Sequence, residues 1–534
     1  MMQIDSFCRV CSRGFYSCHW RKPSENGKKC ACCWFLFVSL VVLLLICWMY
    51  ICLVTYNDQN DFNTKIFTNL KVWVNWFMLV IVVSAVLTSY CVLLLLFALV
   101  QVALREPLVL HWLHKIFLCF GVIIVLCGVA GISCMWRKEW RIVPLSFQAT
   151  APFLQFGAVG ALTLLSSFVF HAFRMAKKGS KYRIAAVFLA VSAAIFLCPL
   201  FIKSPCLIDV KDLPEKPKLI GHRGAPMHAP ENTMMSFKKS IECEVMAFET
   251  DVQVSKDRTA FLMHDQGNGF LDRTTNIRKK LSNNSSSPNQ SSSVTFDFLQ
   301  SLNAGEWFLE TDPFHTVHLL SEEEKETARN QTVPSLLQLL QLAQNRSISV
   351  IFDLYSSGGN YSKIVVQTIL ESKIDHHLVY WLPPEDRSYV KQKASGFIQV
   401  YKNESEMEEE GGHHLNMQYS DLNAEKIREL RDRNISVNLW TVNERWLFSL
   451  LWCAGASSVT TNNCHLLKDM KQPNWIMAPS DYRTKWILVD ISSILLMMCL
   501  YFLQWKVPCS CYRPETQNNT SVWREMSSLM QNEA

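Results

Sequence analysis

The stretch Lys218-Leu-Ile-Gly-His-Arg-Gly-Ala-Pro226 decides how the rest of the chain is read. A short apolar run ends on a histidine and an arginine, and a Gly/Pro turn follows. That is the pattern of a buried β-strand delivering polar side chains at its C-terminal end. A helical pattern over 233–243 comes next, then a second apolar run, Ala247-Phe-Glu-Thr-Asp-Val252. Strand, helix and strand in that order are a βαβ unit with parallel strands. Outward from this unit the alternation repeats. Candidate strands are 218–221, 247–252, 260–264, 347–354, 378–382, 396–401, 436–442 and 457–461, with 415–419 as a ninth contender, and helical patterns cover 335–344, 361–372, 424–434 and 444–453. The segment 204–484 is about 280 residues long, near the roughly 250 of a TIM-type (β/α)8 barrel. The rhythm breaks over about 271–332, which carries a Ser/Asn-rich run at 282–294 and is expected to be an inserted subdomain with a disordered tip. The acidic run 404–410 is expected to be a solvated loop rather than a calcium site.

The barrel segment is flanked by a different kind of sequence. Six apolar stretches, 34–54, 77–100, 116–135, 152–173, 184–202 and 486–503, each reach the roughly 17–25 residues that a bilayer-spanning helix needs. The expected architecture is an α-helical membrane bundle of six spans plus an extracellular α/β barrel. Its parts are a Cys-rich cytosolic tail (1–33), five transmembrane helices (34–203), the barrel (204–484), a sixth transmembrane helix (485–505) and a cytosolic tail (506–534). Orientation follows from 13 Lys/Arg on one side of the spans (Arg9, Arg13, Arg21, Lys22, Lys28, Lys29, Arg105, Lys115, Arg174, Lys177, Lys178, Lys181, Arg183) against 5 on the other (Lys65, Lys71, Arg137, Lys138, Arg141). The positive-inside rule then puts both termini in the cytosol. N-glycosylation acceptors at Asn283, Asn284, Asn289, Asn330, Asn345, Asn360, Asn403 and Asn434 cluster in the barrel segment, as that topology requires. Cys206, Cys243, Cys453 and Cys464 fall on the oxidising side, where three disulfide pairings are possible. The cytosolic cysteines nearest the membrane suit palmitoylation better than zinc, because Cys8-x-x-Cys11 has no second, properly spaced pair. A net charge of +6, dispersed along the chain, excludes nucleic acid as a partner, and 31 Phe, 17 Trp and 14 Tyr exclude disorder as the main state.

The chemistry gathers at strand ends. Alternation on a strand puts Glu249 and Asp251 on one face and Phe248, Thr250 and Val252 on the other. Two inward carboxylates repel unless a cation sits between them. Oxygen ligands select a hard ion, Ca2+ or Mg2+, with Asp353 at the end of a later strand able to complete the site. His222 and His264 end two strands and are suited to proton transfer near neutral pH, while Arg223 offers a planar donor fork to a phosphate. Together they describe phosphodiester cleavage.

The sequence resembles the glycerophosphodiester phosphodiesterases in His222-Arg-Gly-Ala, Pro230-Glu-Asn-Thr233, Glu249-x-Asp251, His264-Asp265, Arg273-Thr-Thr-Asn276, Val333-Pro-Ser-Leu336 and Trp440-Thr-Val-Asn443, in the family's order. The resemblance implies His222 and His264 as the acid/base pair, Glu249 and Asp251 as metal ligands, and Arg223 and Glu231 lining the phosphate pocket. The six-span layout looks like the vertebrate multipass members, most of all the branch associated with osteoblast differentiation. For that branch the resemblance implies phospholipase-C-like hydrolysis of extracellular glycerophosphoinositol at the plasma membrane; a sister branch implies release of glycosylphosphatidylinositol-anchored proteins. The expected partners are therefore a small glycerophosphodiester or a lipid anchor, and membrane lipid. Departures stand at Asp353-Leu354-Tyr355, where the family has Glu-x-Lys, and at Thr461-Asn462, where Thr-Asp is usual. They make reduced activity, or a receptor-like binder of glycerophosphodiesters, the reading of another class. Transport is disfavoured by the near absence of ionisable residues in the spans.

Overall fold

A computed structural model describes residues 10–11, 13–18, 31–104, 108–176, 178–267, 270–281, 288–355 and 360–506. Most of the Cys-rich N-terminal stretch, the sequons Asn283 and Asn284, and Cys509 and Cys511 lie outside these residues. Two compact units divide the chain, one within 1–149 and 205–477, the other within 150–204 and 478–534.

The first unit holds a nine-stranded sheet, whose strands are β1 (Lys218–His222), β2 (Ala247–Val254), β3 (Ala260–Leu262), β4 (Ser349–Leu354), β5 (Val379–Trp381), β6 (Ile398–Gln399), β7 (His414–Gln418), β8 (Ser436–Trp440) and β9 (Ser458–Thr461). Eight of them run parallel in the order β6-β5-β4-β2-β1-β9-β8-β7. The ends of this path meet at Tyr401, whose N–H donates to the His414 carbonyl (2.9 Å) and whose carbonyl accepts from the Asn416 N–H (2.8 Å). The result is the expected eight-stranded barrel, nearly closed.

Two strand assignments change. β3 is not a barrel stave: it pairs antiparallel with β2, Val252 opposite Leu262. Only Ser255–Thr259 joins them, and a parallel return needs a crossover of a dozen or more residues, so this link could only make a hairpin. The eighth stave is instead β7, the region read as the ninth contender. The acidic run 404–410 also departs from expectation. Glu404–Glu409 is a helix capped by Asn403, whose Oδ1 accepts the Glu406 N–H at 2.7 Å, and its carboxylates pair with Lys426 and Arg433 (Glu404), Arg433 (Glu408) and Arg387 (Glu406).

Helices fill the gaps between staves where the 3.6-residue pattern predicts them. Met234–Glu242 starts on Thr233, whose hydroxyl accepts the Ser236 N–H, and Leu336–Arg346 on a capping box of Ser335 and Gln338. Their apolar faces meet outward-facing strand residues such as Phe248, Val350 and Leu439 in one continuous core. Phe237 lies edge-on to Phe248 at 5.5 Å, and burying such a ring contributes about 1.5–3 kcal/mol. A separate small core of Phe261, Phe270, Leu271, Ile277, Leu299 and Leu302 organises the insertion. Of the three possible pairings the cysteines adopt Cys206–Cys453 and Cys243–Cys464. The six sequon asparagines that are described, Asn289, Asn330, Asn345, Asn360, Asn403 and Asn434, are all exposed.

Six helices are long and apolar enough to cross a membrane, Cys33–Leu70, Trp76–Gln101, Trp112–Cys134, Arg137–Arg174, Lys178–Phe201 and Pro479–Trp505, and the protein is a multipass membrane protein. In the first unit, Trp48 donates its indole N–H to Ser84 (3.0 Å) and packs so tightly on Gly128 that a Cβ there would fall 2.2 Å from its ring. In the second unit, Thr163 and Ser493 share a hydrogen bond at 2.7 Å, and Trp486 donates to the Phe196 carbonyl at 2.9 Å. The barrel is held by more than the two chain tethers at 203–210 and 473–484. Val54, Ile142, Leu145 and Ala149, at the ends of apolar helices, belong to the same buried cluster as Tyr419 and Leu422 of the barrel. The segments bearing Asn57 and Arg141 thus pack directly against the barrel.

Candidate active site

The site is built at the C-terminal ends of β1, β2 and β4. His222 closes β1 opposite Glu249 on β2, and Asp251 stands opposite Asp353 on β4. Arg223 and Gly224 then turn the chain through positive φ, 52° and 88°. At Gly224 a Cβ would lie 2.5 Å from the Ser236 backbone, so only glycine fits. Arg223 tolerates the left-handed conformation because its N–H donates to Glu249 Oε2 (3.0 Å) and its carbonyl accepts from Ser236 Oγ (2.9 Å) and the Asn232 N–H (3.1 Å).

A charged network occupies one side of the mouth. Arg223 donates from Nη1 to Glu231 Oε1 (3.1 Å) and ion-pairs through Nε with Asp251 Oδ2 (3.1 Å). Arg273 donates to both oxygens of Glu231, and its Nε donates to Asp265 Oδ2 at 2.7 Å. Burial alone would raise both acids, yet the arginines hold Glu231 and Asp265 well below the ordinary carboxylate range. Both therefore stay ionised. Glu231 is engaged by its two arginines, while Asp265 turns its other oxygen to His264 Nδ1 at 2.9 Å. The β2–β3 hairpin is what brings His264 here. By reversing direction, β3 returns the chain to the level of Asp251, whose carbonyl accepts the Met263 N–H (2.9 Å).

The other side is neutral. His222 Nδ1 lies 2.6 Å from Asn462 Oδ1, just beyond β9. An amide oxygen only accepts, so Nδ1 carries the hydrogen and Nε2 keeps its lone pair for the mouth. Burial, reinforced by the Arg223 charge, pushes His222 down to about 4, so the imidazole is neutral at physiological pH. It remains reachable, with 17% of its side chain exposed, against 28% for His264.

Between the histidines the carboxylates are in excess. Burial, then repulsion from Asp251 and Asp353, pushes Glu249 well above its ordinary value, and burial raises Asp353 despite the Lys402 ammonium 2.7 Å away. Three carboxylates crowded on adjacent strand ends have the donor chemistry of a hard divalent cation. Their oxygens do not all come within 4.8 Å of one another. Among the described residues the group that does is Cys243, Cys464 and His465, in which the two sulfurs are already bonded together.

Several contributors were not singled out in the sequence. Lys402, after β6, faces Asp353 and provides the cation that Asp353-Leu354-Tyr355 lacks; a lysine just past a predicted strand was the available signal. Tyr355 turns its ring edge-on to His264 at 5.1 Å. Arg273 and Asp265 lay within quoted motifs without a role. A cavity of about 520 Å³ opens at the opposite end of the staves beside Lys218, Ile220, Ala247 and Tyr380 and holds none of these groups, so the chemistry and not the cavity locates the site.

The glycerophosphoryl diester phosphodiesterase family model matches residues 222–470. Glycerophosphoinositol inositolphosphodiesterase GDPD2 of Mus musculus is 44% identical over 505 residues, covering 92% of this chain and 93% of the relative. Glycerophosphodiester phosphodiesterase domain-containing protein 5 of Homo sapiens is 36% identical, covering 95% and 86%. Among solved structures, an Oleispira antarctica phosphodiesterase in complex with the product sn-glycerol-3-phosphate is 18% identical and covers 47% of this chain and 95% of its own, with a TM-score of 0.39.

Proposed function

The chain belongs to the glycerophosphoryl diester phosphodiesterase family, and on that premise we propose that it is an ecto-enzyme hydrolysing glycerophosphoinositol to glycerol and inositol phosphate at the plasma membrane. That it is a glycerophosphodiester phosphodiesterase follows from the family; the head group, the outward orientation and the metal are the proposal. The relatives named for glycerophosphoinositol support the head group. The 13-to-5 charge bias and the exposed sequons support the orientation.

The observation that carries the chemistry is the contrast between the two histidines. His222, neutral and with Nδ1 bound to a neutral amide, has its Nε2 lone pair ready to take the proton of an inositol hydroxyl next to the phosphate. That oxygen forms a bond to phosphorus while the P–O bond to glycerol breaks. His264, its Nδ1 held by Asp265, takes the role of the acid that gives a proton to the departing glycerol oxygen. Arg223 carries the phosphate's charge, and Glu231 and Asp251 hold its guanidinium at the required angle. A Ca2+ or Mg2+ ion held by Glu249, Asp251 and Asp353 would add Lewis-acid charge at the phosphate oxygens. The product of this step is a cyclic inositol phosphate, opened by water with the histidines in exchanged roles.

A second reading, cleavage of glycosylphosphatidylinositol anchors, is favoured by one feature: the segment that follows the first apolar helix packs against the turn after β8, at the barrel mouth. Full-length protein and His222→Ala on the cell surface, given external glycerophosphoinositol and glycerophosphocholine with Ca2+, Mg2+ or chelator, separate the readings when an anchored reporter is followed in parallel. Metal-dependent inositol phosphate from wild type alone supports the proposal. Reporter release without soluble product transfers it to anchors, and equal inertness of both proteins leaves a binding role.

A further inference from the structure

The segment after the first apolar helix reaches the catalytic histidine through a chain of asparagines. Asn57 is 2% exposed; its Nδ2 donates to Asp58 Oδ2 at 3.1 Å, and its amide and its carbonyl also meet the turn that follows β8. Its Nδ2 donates to the Thr441 carbonyl, its Oδ1 accepts the Asn443 N–H, and its own carbonyl accepts from Asn443 Nδ2, each at 2.8 Å. The last bond fixes the Asn443 amide, so its Oδ1 faces the Asn462 N–H at 2.9 Å. Asn462 in turn presents Oδ1 to His222 Nδ1 at 2.6 Å. Asn443 and Asn462 are both buried, so no water stands ready to replace a lost partner. Around this chain the contact is well anchored: Tyr419 donates its hydroxyl to Asp58, Arg141 pairs with Asp421, and Val54 joins the barrel core.

We infer that Asn57 is a positioning residue for the phosphodiesterase reaction: through Asn443 and Asn462, the segment following the first membrane helix sets the rotation of the His222 imidazole. The catalytic centre is thus completed by the membrane-anchored part of the chain, and the barrel alone is an incomplete enzyme. The physical basis is directional. Asn443 is pinned at its backbone N–H and its amide by one residue, and without that residue the amide is free to turn and Asn462 to follow. A misplacement of about 1 Å at a catalytic group costs up to about 100-fold in rate. Substrate contacts are untouched, so the loss falls on kcat.

The inference rests on the phosphodiesterase reading, and the test keeps the two separable. Full-length wild type, Asn57→Ala, Arg141→Ala and His222→Ala are compared for turnover of glycerophosphoinositol and for hydrogen exchange in peptides spanning 441–463. Arg141→Ala breaks another contact between the membrane-anchored part of the chain and the barrel, one that does not lead to His222. The expected result is a kcat about 10- to 100-fold lower for Asn57→Ala with KM within about threefold, faster exchange at residues 443 and 462, and little change in either for Arg141→Ala. Unchanged kcat in Asn57→Ala, or an equal loss in Arg141→Ala, overturns the inference and leaves the phosphodiesterase reading intact. Wild type no better than His222→Ala overturns that reading instead; the exchange then decides alone, and an Asn57→Ala protein with unaltered exchange at 462 sinks the asparagine chain as well.

Discussion

The two sides of the barrel mouth solve the same problem, holding an imidazole still, by opposite means. Around His264 the support is ionic and local: Asp265, Arg273 and Glu231 lie within 43 residues of one another and pair with each other in a buried network. Around His222 the support is neutral and distant: three asparagines, the last of them 386 residues from its partner, with no formal charge among them. The difference fits the proposed direction of proton transfer. An imidazole that gives up a proton benefits from a carboxylate behind it, which stabilises the charged form. One that takes a proton benefits from an acceptor that fixes its tautomer without charging it.

The comparison breaks first at the histidines. His222→Ala and His264→Ala should each lower kcat/KM by about 10²–10⁴-fold, measured on glycerophosphoinositol with the purified full-length protein. Similar losses from both would support a shared reaction; a loss from one alone would make the pair unequal in a way this site does not explain. The next effect is on stability. Arg273→Met leaves Asp265 buried without its counter-ion and Glu231 with Arg223 alone, and the cost should be about 3–5 kcal/mol, read as a fall in the barrel's unfolding midpoint. No comparable loss is expected from Asn462→Ala, which leaves a neutral imidazole behind.

Asn462→Asp sharpens the contrast by making the neutral side resemble the charged one. His222 is active as base only when unprotonated, and its ordinary value of 6.5 is lowered by burial and by Arg223. Activity therefore falls as pH drops through the histidine's folded-state value, which in the wild type lies on the acid side of 6.5. A carboxylate at 462 favours the imidazolium, so the acid limb of the kcat/KM profile should move upward by about one unit or more. A limb that stays in place would show that His222 is not the group titrating there. The smallest effect belongs to Lys402→Ala. Half of that side chain is exposed, so its pair with Asp353 should contribute at most about 1 kcal/mol to stability, while the apparent metal affinity shifts by a few-fold as Asp353 loses a competitor.

Much of this was legible because it is local. Six apolar runs of spanning length, staves recurring between helical patterns, and carboxylates two apart on β2 are all periodicities written within a few residues. Bilayer thickness, helix pitch and strand pleat translate them directly. The direction of β3 was also written locally, in a link of five residues too short for a crossover, although reading every strand as a stave hid it. The disulfide pairing, the Lys402 partner of Asp353 and the support behind His222 were not written at all. Cys206 meets Cys453 across 247 residues, and Asn57 meets Asn443 across 386. A hydrogen bond between two side chains leaves no periodic trace in either stretch, and an asparagine in a loop reads as a turn former wherever it stands. What the sequence determined alone was which segments enter the bilayer, which form staves, and which residue types can move a proton or hold a cation. Which asparagine stands behind His222 was decided only when the barrel mouth came to rest against the segment after the first apolar helix, because a bond so short-ranged exists only once the packing has brought its ends together.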